Sequence, residues 1–236
     1  MSNIAIILAG GIGSRMGNVN LPKQFLKIGD IPIIIMTLQN ILKTKLFDKT
    51  IIAIHKDWVD FLKELLNRFK IDSSEINIVI GGKERLDSIE NVLYKIKNNT
   101  NKDDIVVICD AARPFITKDM LNNSIIKAQQ YDVAIATIPA KDTMVISENN
   151  IVIDIPNRNN MFNVQTPESF KFGLLYDAMK TLTAQERQSI TCSSQICEKK
   201  GIPIHSFSGD ERNIKITTMI DLYLANIIYE EMKKMK

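Results

Sequence analysis

The densest group of residues that could do chemistry follows the first hydrophobic segment of this 236-residue sequence. Four of the ten glycines stand there within eight positions, and they are Gly10, Gly11, Gly13 and Gly17. Glycine lets a loop turn sharply and lets main-chain N–H groups approach a ligand, which is how loops between a strand and a helix hold phosphate. Arg15 lies within this loop and Lys23 follows it, so both supply positive charge. The segment predicts a triphosphate site, with a tight turn that binds nothing as the alternative.

The spacing of these glycines differs from that of two common nucleotide-binding loops. The dinucleotide fingerprint G-x-G-x-x-G is not met, because three residues separate Gly13 from Gly17. No Gly-Lys-Ser or Gly-Lys-Thr follows, so the loop is not a P-loop either. A nicotinamide-dependent dehydrogenase should also carry an acidic residue at the end of the second strand, where this chain has His55 and Lys56. These observations argue against a dehydrogenase.

Two further loops combine small and charged residues. Gly81, Gly82 and Ser88 stand in GGKERLDS, directly after a hydrophobic segment, where a plain glycine turn is the alternative to a ligand contact. Asp110 follows the apolar segment IVVIC, and an unpaired carboxylate buried there would be costly. It therefore needs a cationic partner, and Arg113 stands in the same loop. A salt bridge that only holds the loop is the alternative to a role at a ligand.

The elements that must position these loops follow a regular alternation. Short β-branched segments alternate with longer segments of helical period through the first 140 residues. The predicted strands are Ile4–Leu8, Thr50–His55, Ile76–Ile80, Ile105–Cys109 and Val133–Pro139. The predicted helices are Ile33–Lys43, Trp58–Phe69, Leu86–Lys97 and Lys118–Tyr131. Near-continuous hydrophobic strands imply burial on both faces. The pattern predicts an α/β, Rossmann-like and mostly parallel sheet flanked by helices, with its ligand at the carboxyl ends of the strands.

The alternation stops at residues 142–165. There the extended segments TMVIS and IVIDIP flank the turn ENN, which predicts a β-hairpin arm outside the main sheet. A helical pattern returns at Phe170–Thr181, and a final helix follows Thr218. Because no linker interrupts the chain, we interpret residues 1–236 as one domain with residues 142–165 as a protruding dimerisation arm.

The composition excludes several broad classes of protein. Hydrophobic residues make up 45% of the chain and charged residues 24%, and the formal net charge is only +3. This balance is typical neither of a duplex-binding protein nor of a disordered chain, so we expect no nucleic-acid partner. Three cysteines and two histidines without metal-ligand spacing argue against a zinc site. No segment approaches the roughly 18 apolar residues that span a bilayer, and no secretory signal is recognisable. We therefore expect a cytoplasmic protein without membrane insertion.

The glycine loop, LAGGIGSRMG, and the following LPKQF resemble the cytidylyltransferases that join a polyol phosphate to CTP. This family contains the methylerythritol-phosphate and the ribitol-5-phosphate enzymes. The resemblance continues in order along the chain through GGKERLDSI, CDAARPF, KDT, NR, QTPESF and NIKIT. It implies a nucleotidyltransferase fold of the glycosyltransferase-A-like type, a homodimer with exchanged arms, and a requirement for Mg²⁺.

The resemblance also implies a role for each matching position. The catalytic residues, which would surround the triphosphate, are Arg15, Lys23 and Lys215. The nucleotide-binding residues would be Leu8, Ala9, Gly10, Gly11, Gly13, Gly81, Gly82, Arg85, Ser88, Asp110 and Ala111. The residues that would bind the polyol phosphate are Arg113, Thr143 and Arg158. Asp110 would in addition contact the metal ion.

Some implied roles depend on neighbouring segments. Thr143 and Arg158 lie in the arm, which in the family reaches across a two-fold dimer to the partner's active site. Gln165 and Thr166 of the QTP motif fit a structural role. An acidic residue often precedes the Asn of NIKIT in the family, and Arg212 stands there instead, so no second metal carboxylate is assigned.

The implied reaction transfers CMP from CTP to a polyol phosphate and releases pyrophosphate. The Gly-Gly pair, LPKQF and the stretch from IPNRNNMF to QTPESF favour D-ribitol 5-phosphate, which would give CDP-ribitol for teichoic acid or capsule synthesis. The alternative is 2-C-methyl-D-erythritol 4-phosphate of isoprenoid synthesis. A catalytically inactive nucleotide-binding module is a further alternative, but it should lose the cations that Arg15, Lys23 and Lys215 supply.

Overall fold

The computed structural model describes residues 1–11 and 21–234, so Gly13, Arg15 and Gly17 of the glycine loop lie outside the described residues. The strands are β1 (Asn3–Ala9), β2 (Lys27–Ile28), β3 (Ile31–Pro32), β4 (Lys49–Ile54), β5 (Ile76–Ile80), β6 (Ile105–Asp110), β7 (Val133–Pro139), β8 (Ile146–Glu148), β9 (Ile151–Asp154), β10 (Phe162–Lys171) and β11 (His205–Ser208). The α-helices are α1 (Ile33–Leu42), α2 (Val59–Arg68), α3 (Arg85–Ile96), α4 (Lys118–Tyr131), α5 (Phe172–Lys180), α6 (Ala184–Ser189), α7 (Gln195–Glu198) and α8 (Met219–Lys234).

Seven strands form the central sheet in the order β11-β7-β10-β6-β1-β4-β5. Neighbouring strands are parallel, except that β10 is antiparallel to both β6 and β7. Helices pack on both sides of the sheet. The predicted α/β fold with a mostly parallel sheet is therefore confirmed.

The side chains of β1 alternate between the two faces of the sheet, as strand geometry requires. Ile4 and Ile6 pack with residues of α3 and α5, whereas Ala5 and Ile7 pack with residues of α1, α2 and α4. Both faces of the strand are thereby buried, which explains its continuous hydrophobic sequence NIAIILA. The neighbouring strand β6 is buried at all six positions for the same reason.

Side-chain caps fix the loops in front of α3 and α8. Before α3, Oδ2 of Asp87 accepts from the main-chain N of Glu84 at 3.0 Å in a capping box. Before α8, Oδ2 of Asp221 accepts from the main-chain N of Thr217 at 2.9 Å and of Thr218 at 2.7 Å. Within residues 1–11 and 21–234, no helix is both long and apolar enough to cross a membrane.

The hairpin of β8 and β9 forms a two-stranded sheet of its own, as the sequence predicts. Its turn residues Asn149 and Asn150 have φ of 50° and 64°, a conformation that asparagine tolerates better than most residues. The predicted arm of residues 142–165 extends too far, however. Residues 162–165 pair with β7 in the central sheet, so the arm ends before them.

Strand β10 lies in the middle of the sheet and was not predicted. Its sequence FNVQTPESFK contains proline and polar residues, which disfavour a central strand. Pro167 lies where the register shifts between Gln165 and Glu168, so its missing N–H interrupts no regular ladder. The helix predicted from Phe170 begins too early, because β10 runs to Lys171 and α5 starts only after it.

Candidate active site

A cavity of about 620 Å³ opens where β1, β4, β5 and β6 reach their carboxyl ends. The predicted site residues that line it are Leu8, Ala9, Gly10, Gly11, Lys23, Gly82, Arg85, Ser88, Asp110, Ala111 and Lys215. The lining residues to which the sequence assigned no role at the site are Gln24, His55, Lys83, Glu84, Ala112 and Thr217. The cavity therefore lies where open α/β sheets bind their ligands.

Gly82 lies in the cavity wall at a point where a larger residue has no room. A Cβ atom here would lie 2.1 Å from Cβ of Asp87. The main-chain N of Gly82 donates to Oγ of Ser88 at 3.0 Å, and this hydroxyl donates to the carbonyl of Glu84 at 3.1 Å. Ser88 thus fixes the glycine turn, and its contact with cytosine stays a prediction. Gly81 adjoins the turn but does not line the cavity as far as the structure describes it.

The carboxylate of Asp110 lies at the centre of a group of cations. Its side chain is only 7% exposed, and Oδ1 accepts from Nη1 of Arg85. Its Oδ2 lies 2.9 Å from Nζ of Lys215 and 3.5 Å from Nε of Arg113. Burial alone would raise the pKa of Asp110, but the three cations outweigh it and hold this pKa well below its usual range. Asp110 is therefore ionised at neutral pH and keeps positive charge beside the cavity.

The two arginines next to Asp110 have different surroundings. Arg85 lines the cavity, and although burial disfavours its charged form, Asp110 and Glu168 raise its pKa above the usual value. Arg113 is 8% exposed, and burial lowers its pKa, which Asp110 offsets only in part. Its Nη1 donates to the carbonyl of Asn213 at 2.7 Å, and among the described lining residues Arg113 is absent. Arg113 therefore ties β6 to the segment before α8, and its contact with polyol phosphate stays a prediction.

A short 3-10 turn, Lys23–Phe25, carries Lys23 to the cavity. The buried side chain of Gln24 donates from Nε2 to the carbonyl of Ala9 at 2.7 Å. Phe25 packs edge-to-face against Phe61, with ring centroids 4.9 Å apart. The turn is thus anchored to β1 on one side and to α2 on the other, which fixes the backbone from which Lys23 extends.

The QTP motif joins three segments around the cavity. The Oγ1 of Thr166 accepts from the main-chain N of Asp110 at 3.1 Å, and the carbonyl of Thr166 accepts from Nδ2 of Asn213 at 2.9 Å. Nε2 of Gln165 donates to the carbonyl of Asp210 at 3.0 Å. These bonds hold the loop before α8 against the end of β6, which agrees with the structural role expected of the motif.

Thr143 and Arg158, which the resemblance assigns to the polyol phosphate, are exposed near the base of the arm. Nη1 of Arg158 donates to the carbonyl of Lys141 at 3.3 Å. In the described part of the chain, neither residue lines the cavity. Their contact with substrate across a dimer therefore stays a prediction.

The described residues fit a metal ion that phosphate carries better than one that protein ligands hold alone. Within the described ranges, no three His, Cys, Asp or Glu side chains are grouped so that they could hold an ion. The carboxylates in the described cavity wall are Asp110 and Glu84, and both oxygens of Asp110 face cations. Mg²⁺ commonly takes one or two carboxylates and completes its shell with phosphate and water. Asp110 therefore fits as a single protein ligand of an ion that a triphosphate brings.

Comparison with known proteins points to one family along almost the whole chain. The family model described as IspD, 2-C-methyl-D-erythritol 4-phosphate cytidylyltransferase, matches residues 3–231. A solved structure of 2-C-methyl-D-erythritol 4-phosphate cytidylyltransferase (IspD) from Francisella tularensis is similar, with 29% identity and a TM-score of 0.81 over 96% of this chain and 99% of that one.

Two further solved structures share the fold. The 4-diphosphocytidyl-2C-methyl-D-erythritol synthase from Anaerococcus prevotii is 28% identical, with a TM-score of 0.80 over 97% of this chain and 96% of that one. The 2-C-methyl-D-erythritol 4-phosphate cytidylyltransferase from Thermus thermophilus is 22% identical, with a TM-score of 0.76 over 98% of this chain and 100% of that one. The last comparison shows a likeness of fold alone.

Proposed function

The chain belongs to the IspD family of 2-C-methyl-D-erythritol 4-phosphate cytidylyltransferases, and from this premise we propose that 2-C-methyl-D-erythritol 4-phosphate is its acceptor. Membership of the family makes the chain a nucleotidyltransferase that uses CTP. The acceptor is supported by the family model and by the similar structures from Francisella tularensis and Anaerococcus prevotii.

This proposal replaces D-ribitol 5-phosphate, the acceptor that the sequence motifs favour. The comparisons do not support ribitol phosphate, nor the teichoic acid and capsule pathways that follow from it. The preference rested on the spelling of motifs around the nucleotide loop and the arm. None of those motifs identifies a contact with the carbon chain of a polyol. The amino-acid sequence of the motifs alone could therefore not decide between two acceptors of similar size and charge.

The proposed reaction is an in-line transfer at the α-phosphorus of CTP. An oxygen of the acceptor phosphate forms a bond to this phosphorus, the bond from it to the oxygen of the β-phosphate breaks, and pyrophosphate leaves with the electron pair. The acceptor phosphate is already ionised near neutral pH, so no side chain has to remove a proton. The product is 4-diphosphocytidyl-2-C-methyl-D-erythritol.

The observation that carries the proposed chemistry is the group of cations in the cavity wall. Lys23, Arg85 and Lys215 line the cavity, and Arg15, outside the described residues, is proposed to act with them. Cations that face the phosphoryl oxygens stabilise the charge that develops there in the transition state. Asp110 holds two of these cations before substrate arrives, so that little reorganisation is needed.

We also propose Mg²⁺ as the cofactor, brought by the triphosphate with Asp110 as its protein ligand. When bound, the ion supplies further neutralisation of phosphate charge. The side chain of Lys215 is 38% exposed and has room to turn from Asp110 toward a phosphate. Such a turn would leave Oδ2 of Asp110 with the more distant Nε of Arg113, at 3.5 Å, and would open it to the ion.

A homodimer with exchanged arms is proposed from the exposed surface of the arm. Ile151, Ile153 and Ile155 are exposed by 67%, 54% and 61%, respectively. A contiguous exposed apolar surface of this kind marks an interaction site. A second copy of the chain would cover it and would bring Thr143 and Arg158 to the partner's cavity. The guanidinium of Arg158 would then have a phosphate dianion to bind.

The acceptor is tested by measuring pyrophosphate release from CTP with three candidates: 2-C-methyl-D-erythritol 4-phosphate, D-ribitol 5-phosphate and glycerol phosphate. We expect kcat/KM to be more than about 100-fold higher for the first, because a site built around particular hydroxyl groups discriminates strongly against other acceptors. An equal or higher value for ribitol phosphate contradicts the proposal. Lys23→Ala should abolish release with any acceptor, whereas Lys63→Ala, which removes an exposed lysine of α2, should not.

A further inference from the structure

We propose that Glu168 is a positioning residue of the active site, which acts on the nucleotide through Arg85 and not by touching it. The proposal rests on the proposed function, because it concerns how the cavity holds CTP. Glu168 lies in β10 opposite Ile108 of β6 and is 1% exposed. It is not one of the described residues that line the cavity. Burying a carboxylate is costly unless cations or hydrogen-bond donors compensate its charge, so Glu168 must have such partners here.

In the described structure, each hydrogen-bond partner of the Glu168 side chain is a donor. Its Oε1 accepts from Nη2 of Arg85 at 3.2 Å and from the main-chain N of Ser193 at 3.2 Å. Its Oε2 accepts from the main-chain N of Ser194 at 2.7 Å. An ionised carboxylate, which accepts at both oxygens and donates at neither, satisfies all three partners. A side chain amide of the same shape cannot do so.

The guanidinium of Arg85 is held on more than one side. Its Nη1 donates to Asp110, and its Nη2 donates to Glu168 and also to Oγ of Ser193 at 3.2 Å. The two carboxylates come from adjacent strands, β6 and β10. A planar guanidinium that is bonded through both terminal nitrogens has lost its freedom to rotate. Arg85 therefore presents one orientation to the cavity before a nucleotide arrives, and such preorganisation increases affinity.

The balance of charge gives a second reason for this residue. Arg85, Arg113 and Lys215 carry three positive charges, and Asp110 and Glu168 carry two negative charges. Without Glu168, the carboxylate of Asp110 would face all three cations alone. Arg85 would then compete with Lys215 for the same anion. By sharing Arg85, Glu168 reduces the positive charge that Asp110 alone has to balance.

The substitution Glu168→Gln tests the proposal. The amide can direct its oxygen toward Arg85 or toward Ser194, but its NH₂ group then faces a donor on the other side. We expect KM for CTP to rise about tenfold and kcat to change less than about threefold, because the loss falls on binding. The Kd of CTP alone should rise by a similar factor. In an Arg85→Ala background, the same substitution should change KM for CTP less than about twofold, because Glu168 can then no longer act on the nucleotide through Arg85.

Glu90→Gln is the matched control, because it makes the same exchange in α3 at a carboxylate that pairs with Arg187 at 2.7 Å. It should leave KM for CTP unchanged. The positioning role is overturned if Glu168→Gln leaves KM and Kd within twofold of the wild type, or raises them equally with and without Arg85. A wild type that binds CTP but makes no product refutes the acceptor alone, whereas one that binds no CTP overturns both proposals.

A second variant decides the matter if Glu168→Gln melts below the assay temperature. Glu168→Asp keeps the buried negative charge but is one methylene shorter, so its carboxylate is drawn away from Nη2 of Arg85. We then expect KM for CTP to rise about threefold, and an unchanged KM overturns the proposal.

Discussion

The substitution Asp110→Asn should destabilise the protein, although it hardly changes the packing volume. It removes the negative charge that faces Arg85, Arg113 and Lys215. Removing one partner from a buried ionic cluster typically costs about 3–5 kcal/mol, because the remaining charges stay buried without a counter-ion. The side chain of Arg113 is only 10% exposed and stays buried, whereas the side chain of Lys215 is 38% exposed and can turn outward. We therefore expect the lower end of the range, about 3 kcal/mol.

Thermal unfolding without nucleotide measures this effect. For a chain of this size, each kcal/mol shifts the melting temperature by about 2–4 °C, so Asp110→Asn should lower it by about 6–12 °C. Asp60→Asn is the control, because Asp60 is 91% exposed and its pair with Lys63 at 3.2 Å lies on the surface. The control should shift the melting temperature by less than about 2 °C. A shift as small as this for Asp110→Asn would refute the reasoning.

The pH dependence of the same difference has a defined sign. The three cations lower the pKa of Asp110 in the folded protein, so near pH 4 the unfolded chain binds more protons than the folded protein does. The advantage of the wild type over Asp110→Asn is therefore complete above the ordinary aspartate pKa of about 4. It should shrink as the pH falls further toward the lowered pKa of the folded state. A difference that disappears at neutral pH would contradict this assignment.

Three further substitutions test the cavity and the arm. Gly82→Ala places a Cβ atom 2.1 Å from Cβ of Asp87, so the turn must move. We expect KM for CTP to rise about tenfold, and a KM within twofold of the wild type would show that the turn adapts. Lys215→Ala should lower kcat about 100-fold with little change in melting temperature, and a kcat within tenfold would remove this lysine from the catalytic group. Mixing the inactive variants Arg158→Ala and Lys215→Ala should restore about a quarter of wild-type activity through mixed dimers with one intact site, and no recovery would contradict arm exchange.

Much of the sheet was predictable, because its parallel strands are buried on both faces and form continuous apolar segments in the sequence. Strand β6, with all six residues buried, is the clearest case. Strand β10 was not predictable in the same way. It is central, but it carries Pro167 and the buried Glu168, whose place there is explained by partners elsewhere in the chain. Strand β11, with only four residues, gives too short a pattern to recognise.

The residues of the candidate site were likewise predictable only in part. Lys23, Gly82 and Asp110 follow strands or glycine turns, so their positions at one edge of the sheet could be inferred from order along the chain. The role of Glu168 could not be inferred, because its partner Arg85 is 83 residues away and belongs to a helix on a different crossover. The structural bond of Arg113 could not be inferred either, because its partner Asn213 is 100 residues away along the chain, and its contact with substrate stays a prediction.

The proposed function is the transfer of a cytidylyl group from CTP to 2-C-methyl-D-erythritol 4-phosphate in this cation-lined cavity. Mass spectrometry of the products formed by the wild-type protein with CTP, Mg²⁺ and this acceptor tests it most directly. We expect 4-diphosphocytidyl-2-C-methyl-D-erythritol together with an equal amount of pyrophosphate. Absence of this product, under conditions in which D-ribitol 5-phosphate is converted to CDP-ribitol, would contradict the claim.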